Sequence, residues 1–181
     1  MNAVALDLLS FVGGRQFATI LADPPWRFSN KTGKVAPEHK RLARYSTLSF
    51  AEIEALPIPQ LTTATAHLYL WCPNALLPEG LSVMKAWGFT YKSNVVWHKI
   101  RKDGGSDGRG VGFYFRNVTE LVLFGVKGKK MSGPTNGEVM NSQPFGSASL
   151  TNILILRAGR RNPISYFIVR FVPVSSYFAA R

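Results

Sequence analysis

Residues 23 to 26 read Asp-Pro-Pro-Trp and close the apolar run Phe17-Ala18-Thr19-Ile20-Leu21-Ala22. A carboxylate, two rigid residues and an aromatic thus stand at the carboxyl end of an expected buried strand, the end at which open α/β sheets bind ligands. Proline fixes φ and has no N–H donor, so the carbonyls of Asp23 and Pro24 are expected to face outward as acceptors. Acceptors beside a flat ring suit the exocyclic amine of a nucleobase. The Asp23 carboxylate and a proline carbonyl would take its two N–H bonds while Trp26 stacks on the base. Holding both hydrogens draws the nitrogen toward tetrahedral geometry and frees its lone pair to attack a methyl donor. That is catalysis by positioning and fixed dipoles rather than by proton abstraction. The alternative is a plain turn after a strand, and the strand before and basic stretch after weigh against it.

That basic stretch holds Arg27, Lys31, Lys34, Lys40, Arg41 and Arg44 against one acid, Glu38. It is expected to grip phosphates next to a loop that grips a base. The whole chain carries a formal charge of +12, which favours a polyanionic partner and points first to nucleic acid. With 46% hydrophobic and 18% charged residues in 181, the chain has material for one globular domain, residues 1–181. Its one cysteine, Cys72, permits no internal disulfide; a core thiol in a cytoplasmic protein is the expectation. No apolar run has membrane-spanning length, and Met1 to Gly13 contains Asp7 without a basic flank, unlike a signal peptide.

The elements that must position the loop can be read from periodicity and punctuation. Strands are expected over 16–22, 67–71, 91–100 and 120–127, and the polar stretch 27–47 reads as a long loop. Ser49-Phe50-Ala51-Glu52 has capping-box spacing and opens a short helix, which Pro57 and Pro59 end. Asn74 to Trp87 reads as an amphipathic helix with Leu77, Leu81, Met84 and Trp87 inward, stopped by Gly88. The glycines between Asp103 and Gly110 fit no phosphate-binding pattern and read as a flexible loop. Alternating strands and helices predict a doubly wound α/β sheet. No cluster with metal-ligand spacing stands out, so no metal is expected.

Several segments, in one order, carry a family likeness. They are Ile20 to Trp26; Tyr45-Ser46-Thr47-Leu48-Ser49 with Glu52-Ile53 and Leu56-Pro57-Ile58; and His67 to Trp71 followed by Met84 to Phe89. Val95-Val96-Trp97-His98-Lys99 follows, then Arg116-Asn117 with Glu120 and Leu123 to Gly128. From about Phe17 to Gly128 the chain resembles the adenine-N6 methyltransferases of the MT-A family. The resemblance implies a Rossmann-like sheet with circularly arranged motifs, S-adenosylmethionine as methyl donor, and the N6 amine of adenine in nucleic acid as acceptor. DNA is preferred over RNA because the chain has the short bacterial or phage-like form. It implies that Asp23, Pro24, Pro25 and Trp26 form the catalytic loop, with Ala22 and Asp23 beside the cofactor. Tyr45 would border the acceptor pocket and Lys99 would serve the target nucleotide. Arg27, Lys31, Lys34, Arg41 and Arg44 would bind the nucleic acid. Arg116 and Asn117 with Glu120 would brace a loop.

The likeness weakens after Lys130, and residues 131–181 read as a diverged carboxyl-terminal part. Arg160-Arg161-Asn162-Pro163 stands roughly where the family has serine-x-lysine-proline, and Tyr177 to Arg181 echoes the cofactor strand only faintly. Codons for Gly159 to Ile164 read in another frame are able to encode Ser-x-Lys-Pro-Asp, so a frameshift is one account and divergence the other. A nucleic-acid-binding relative without catalytic activity is therefore the alternative to an active methyltransferase.

Overall fold

The computed structural model describes residues 3–27, 47–105, 118–128, 153–158 and 164–169. The elements are α1 (Ala3–Val12), β1 (Phe17–Asp23), α2 (Phe50–Glu54), α3 (Ile58–Leu61) and β2 (Thr62–Cys72), then a single 3-10 turn at Asn74–Leu76. They continue with α4 (Leu77–Ala86), β3 (Thr90–His98), β4 (Thr119–Lys127), β5 (Ile153–Ala158) and β6 (Ile164–Val169). The expected loop over 27–47 and the glycine-rich segment to Gly110 lie largely outside the described residues, as do Arg160 to Pro163 and the segment from Tyr177.

The strands form one six-stranded sheet in the order β3-β4-β2-β1-β5-β6. β1 runs parallel to β2 on one side and to β5 on the other, while β4, β3 and β6 join antiparallel. The doubly wound expectation thus takes the form of a Rossmann-like sheet with a parallel centre and antiparallel flanks. The chain leaves β1 toward β2 and later returns to β1's other side as β5. That reversal is the topological switch point, the place where such sheets open a crevice at their carboxyl ends. Asp23 and Arg157 are paired there, one ending β1 and the other nearing the end of β5.

Register assigns the two faces. Ile20, Leu68, Gly125 and, one step on, Ala22, Leu70 and Leu123 share one face and are buried. α4 seals it so closely that a Cβ on Gly80 would stand 2.5 Å from Cys72 Sγ. Burial, with a smaller push from Glu79, raises the Cys72 thiol to about 12, which fits the expected inert core cysteine. α2 locks onto α4 where the Trp87 indole N–H donates to the Ile53 carbonyl at 3.0 Å.

Local signals explain most ends. Ser49 caps α2, accepting from Glu52 N while the Glu52 carboxylate accepts from Ser49 N at 2.8 Å, so the expected capping box forms. Pro59 does not merely stop that helix; it sits in the first turn of α3, where a missing N–H is harmless. α4 ends at Gly88 with φ +80, the left-handed C′ position that favours glycine. Its inward stripe is Leu76, Gly80, Val83, Met84 and Trp87. Leu81, expected inward, is 37% exposed, because the helix leans on β2 and β4 through its small Gly80. α1 was not signalled by the sequence pattern; it buries Ala5, Leu8 and Val12 and packs against β6.

Candidate active site

The second sheet face carries the polar groups. Leu21 pairs with Tyr69, Tyr69 with Phe124, Trp71 with Val122 and Trp97 with Glu120. Cross-strand partners share a face, so Asp23, Trp71, Glu120 and Trp97 project to one side near the carboxyl ends of β1 and β2. His67 and Tyr69 lie behind them, each packed on the Phe124 ring with centroids 5.4 and 5.1 Å away. Burial lowers the His67 pKa and raises that of Tyr69, which keeps both neutral at physiological pH.

Asp23 is half-buried, and its carboxyl is raised from 3.8 to about 6. Desolvation is the main cause; Arg157 opposes it and the negative charge of Glu120 adds to it. No hydrogen-bond donor to this carboxylate is found among the described residues. Glu120, by contrast, is fully engaged: one carboxylate oxygen accepts from the Trp71 indole N–H and the other is ion-paired with Lys99. The site is thus a half-buried carboxylate, with no donor among the described residues, set between a cation on β5 and a tethered anion on β4.

The loop after β1 is built differently from the expectation in two respects. Pro24 and Pro25 are buried, and the Pro24 carbonyl already accepts the Trp26 N–H at 2.8 Å. A carbonyl has two lone pairs, and this bond uses one of them. The Pro25 carbonyl takes the Leu48 N–H at 3.0 Å and pins the loop to the entry of α2. Trp26 is only 4% exposed, lies against Phe50 with centroids 6.4 Å apart, and donates its indole N–H to the Trp71 carbonyl at 2.9 Å. Its ring is therefore a core brace tying the loop to β2 and has no open face for a base to stack on.

Other expected site residues divide as follows. Ala22 is completely buried on the face opposite Asp23, so its methyl fills core. Arg27 is exposed, and two of its donors reach Thr47, at 3.3 Å to the hydroxyl and 3.4 Å to the carbonyl. It ties residue 27 to residue 47. Lys99 is not a free strand-end cation, because Glu120 holds it. Glu120 braces Lys99 and Trp71; Arg116 and Asn117, its expected companions, lie outside the described residues, as do Lys31, Lys34, Arg41, Arg44 and Tyr45. Sequence reasoning missed Arg157 and Trp71. Arg157 had a signal: a lone cation closing the apolar run Ile153 to Leu156, as Asp23 closes Phe17 to Ala22.

The Asp23 carboxylate, with no donor among the described residues, suits a cationic or N–H-bearing ligand, and the second lone pair of the adjacent Pro24 carbonyl suits another N–H. Both fit S-adenosylmethionine, whose sulfonium and ammonium are cationic, and an exocyclic amine. An acid-Pro-Pro-Trp loop at the switch point of a sheet of this order is consistent with the class of Rossmann-like methyltransferases. The MT-A70 family model matches residues 17–165, beyond Gly128 and through β5. The chain belongs to the MT-A70 family. It is 25% identical to the type II methyltransferase M.MunI of Mycoplasma sp over 170 residues, covering 86% of this chain and 65% of that protein. It is 29% identical over 135 residues to the N6-adenosine-methyltransferase non-catalytic subunit MTB of Arabidopsis thaliana, covering 71% of this chain and 16% of that one. With the human N(6)-adenosine-methyltransferase catalytic subunit METTL3 it shares 29% identity over 114 residues, 62% of this chain and 18% of that one. The chain therefore spans just under two thirds of one of these relatives and under a fifth of the other two.

Proposed function

We propose that this chain methylates the N6 amine of adenine in nucleic acid with S-adenosylmethionine, with DNA ahead of RNA. The observation that carries this reading is the Asp23 carboxylate at the β1 switch point, partly desolvated and without a hydrogen-bond donor among the described residues, next to the Pro24 carbonyl. DNA is put ahead because the alignment reaches 65% of a type II methyltransferase but 16% and 18% of two proteins named for adenosine.

S-adenosylmethionine, when bound, supplies an electrophilic methyl group. The protein's part is to hold the amine. One N–H donates to the Asp23 carboxylate and the other to the remaining lone pair of Pro24, so the nitrogen lone pair points away from the ring and toward the donor. Burial of Pro24, Pro25 and Trp26 makes these acceptors rigid, which is where such positioning gains its effect. After transfer the nitrogen bears a positive charge and still carries both of its original protons, one of which must leave. The ionised Asp23 stabilises that charge, and its pKa of about 6 lets it take the proton or pass it to water. Lys99 bound to Glu120 limits how far Glu120's charge disfavours the ionised form.

The resemblance to a protein named as a non-catalytic subunit supports a second reading, binding without transfer. Titration calorimetry of S-adenosylmethionine into the full chain and into Asp23→Ala, followed by methyl transfer to adenine-containing DNA and RNA, separates the two. Saturable binding and transfer by the wild type, lost in Asp23→Ala, is the expected result. A folded wild type that binds nucleic acid but neither binds the cofactor nor transfers a methyl group leaves the second reading.

A further inference from the structure

The face that bears Asp23 and Glu120 does not stop at the site. It runs outward across β4 onto β3, the outermost strand on that side, whose residues Thr90 to His98 are all exposed. There Val95 is 58% and Trp97 54% exposed. An exposed indole on a strand is apolar area left in water, and such area marks an interaction surface. Trp97 is also held in place. Its ring packs on Trp71 with centroids 5.5 Å apart and planes at 56°. Trp71 in turn gives its N–H to Glu120 and its carbonyl to Trp26, the last residue of the Asp-Pro-Pro-Trp loop. The position of the Trp97 ring is thereby tied to the position of Asp23.

We propose that Trp97 is a stacking platform for a base flanking the target adenine in a single-stranded segment of the substrate. This rests on the reading of the site given above. The occupant must be flat, carry negative charge and lie alongside the site. From Thr90 to Gly105 the sequence has Lys92, Lys99, Arg101 and Lys102 against the single acid Asp103. Lys99 and Arg101 are already ion-paired, so Lys92 and Lys102 are the cations that no acid holds among the described residues. A fixed aromatic face on a strand within a basic segment is the kind of arrangement that binds single strands: the ring takes a base and cations take phosphates. A nucleotide pulled from its stack to reach Asp23 leaves its neighbours unstacked, and Trp97 offers one of them a replacement surface.

The test is fluorescence anisotropy with labelled single-stranded oligonucleotides holding one adenine, as DNA and as RNA of the same sequence. Each is also made with abasic residues on both sides of the adenine. Trp97→Ala is expected to weaken binding of the intact oligonucleotide about 5- to 150-fold, and Trp97→Phe to restore most of it. Val96→Ala, exposed on the opposite face, should leave it unchanged. The abasic oligonucleotide should bind the wild type weakly and be indifferent to Trp97→Ala. Equal affinity of wild type and Trp97→Ala overturns the proposal, and so does an equal loss on the abasic oligonucleotide. Light scattering supplies the remaining arm: a dimer that Trp97→Ala dissociates, with oligonucleotide affinity unchanged, makes this face a contact between copies and overturns it too. Failure of the methyltransferase reading looks different. Trp97-dependent binding without methyl transfer sinks that reading alone, whereas transfer with a KM indifferent to Trp97→Ala sinks the stacking alone.

Discussion

At the scale of single residues, the site is a contest over one proton. Burial favours neutral Asp23, Glu120 reinforces this and Arg157 resists it, with a result of about 6. If the ionised carboxylate holds the amine, kcat/KM should rise with pH through an apparent pKa near 6 and level off above it. A pH–rate profile checks this, and Asp23→Asn should lose at least about 100-fold and the pH limb with it. Stability should run the other way. A carboxyl raised from 3.8 to about 6 adds stability that is fully present below 3.8 and lost as pH rises through about 6. Asp23→Asn should therefore melt higher than wild type at pH 7.5 by roughly 2–4 °C, taking about 1 kcal/mol after discounting for solvent access. The difference should vanish below about pH 4, as thermal melts at several pH values would show. Glu120→Gln removes a charge that raises Asp23, so the midpoint of the pH–rate profile should move to lower pH. Asp23 itself was legible from its place at the end of an apolar run. Its electrostatic neighbours were not, because β4 and β5 bring Glu120 and Arg157 to it from distant parts of the chain.

At the scale of elements, what the sequence revealed was what depends on close neighbours along the chain. The capping box at Ser49, the stop at Gly88 and the strands around Leu21, Leu68 and Leu123 all follow from local sterics and hydrogen bonding. Ser49→Ala should reduce stability by about 1 kcal/mol. Gly128→Ala should do more damage, because Gly128 has φ +88 and a Cβ there would meet the Ala64 carbonyl oxygen at 2.3 Å. Chemical denaturation of both variants, with unchanged m-values, tests that order. The helix stripe was legible only in part: Leu81 fits the period, but Gly80 lets α4 approach β2, and that approach rotates Leu81 outward. Trp26 shows the same limit. Its position after two prolines suggested a base-stacking ring, whereas the Trp71 carbonyl and Phe50 give it a buried place. An aromatic that joins two elements cannot be told from one that joins an element to a ligand until both elements are placed.

At the scale of the whole molecule, a charge of +12 sets the expected partner and the way binding should respond to salt. The logarithm of the association constant for an oligonucleotide should fall linearly with log salt, at about 0.7 to 0.9 per phosphate neutralised. Anisotropy titrations at several salt concentrations measure it, and a flat response would deny the basic surface any role. The family match through residue 165 and the place of β5 beside β1 carry the family architecture past Gly128, where the likeness read from the residues stops. Periodicity was too weak there to reveal a central strand, since a short apolar run signals burial but not which strand it will pair with. The amino-acid order alone determined the acid at a strand end, the rigid loop after it, the caps and turns, and the polyanion-seeking charge, all properties of neighbouring residues or of composition. Strand order and register are long-range, and only they decided that Asp23 faces Arg157 across the switch point and that Glu120 is tethered by Trp71 and Lys99. Contacts from α2 and β2 bury Trp26, and the register of β3 leaves Trp97 in the open, because a side chain's surroundings are settled by the elements laid beside it.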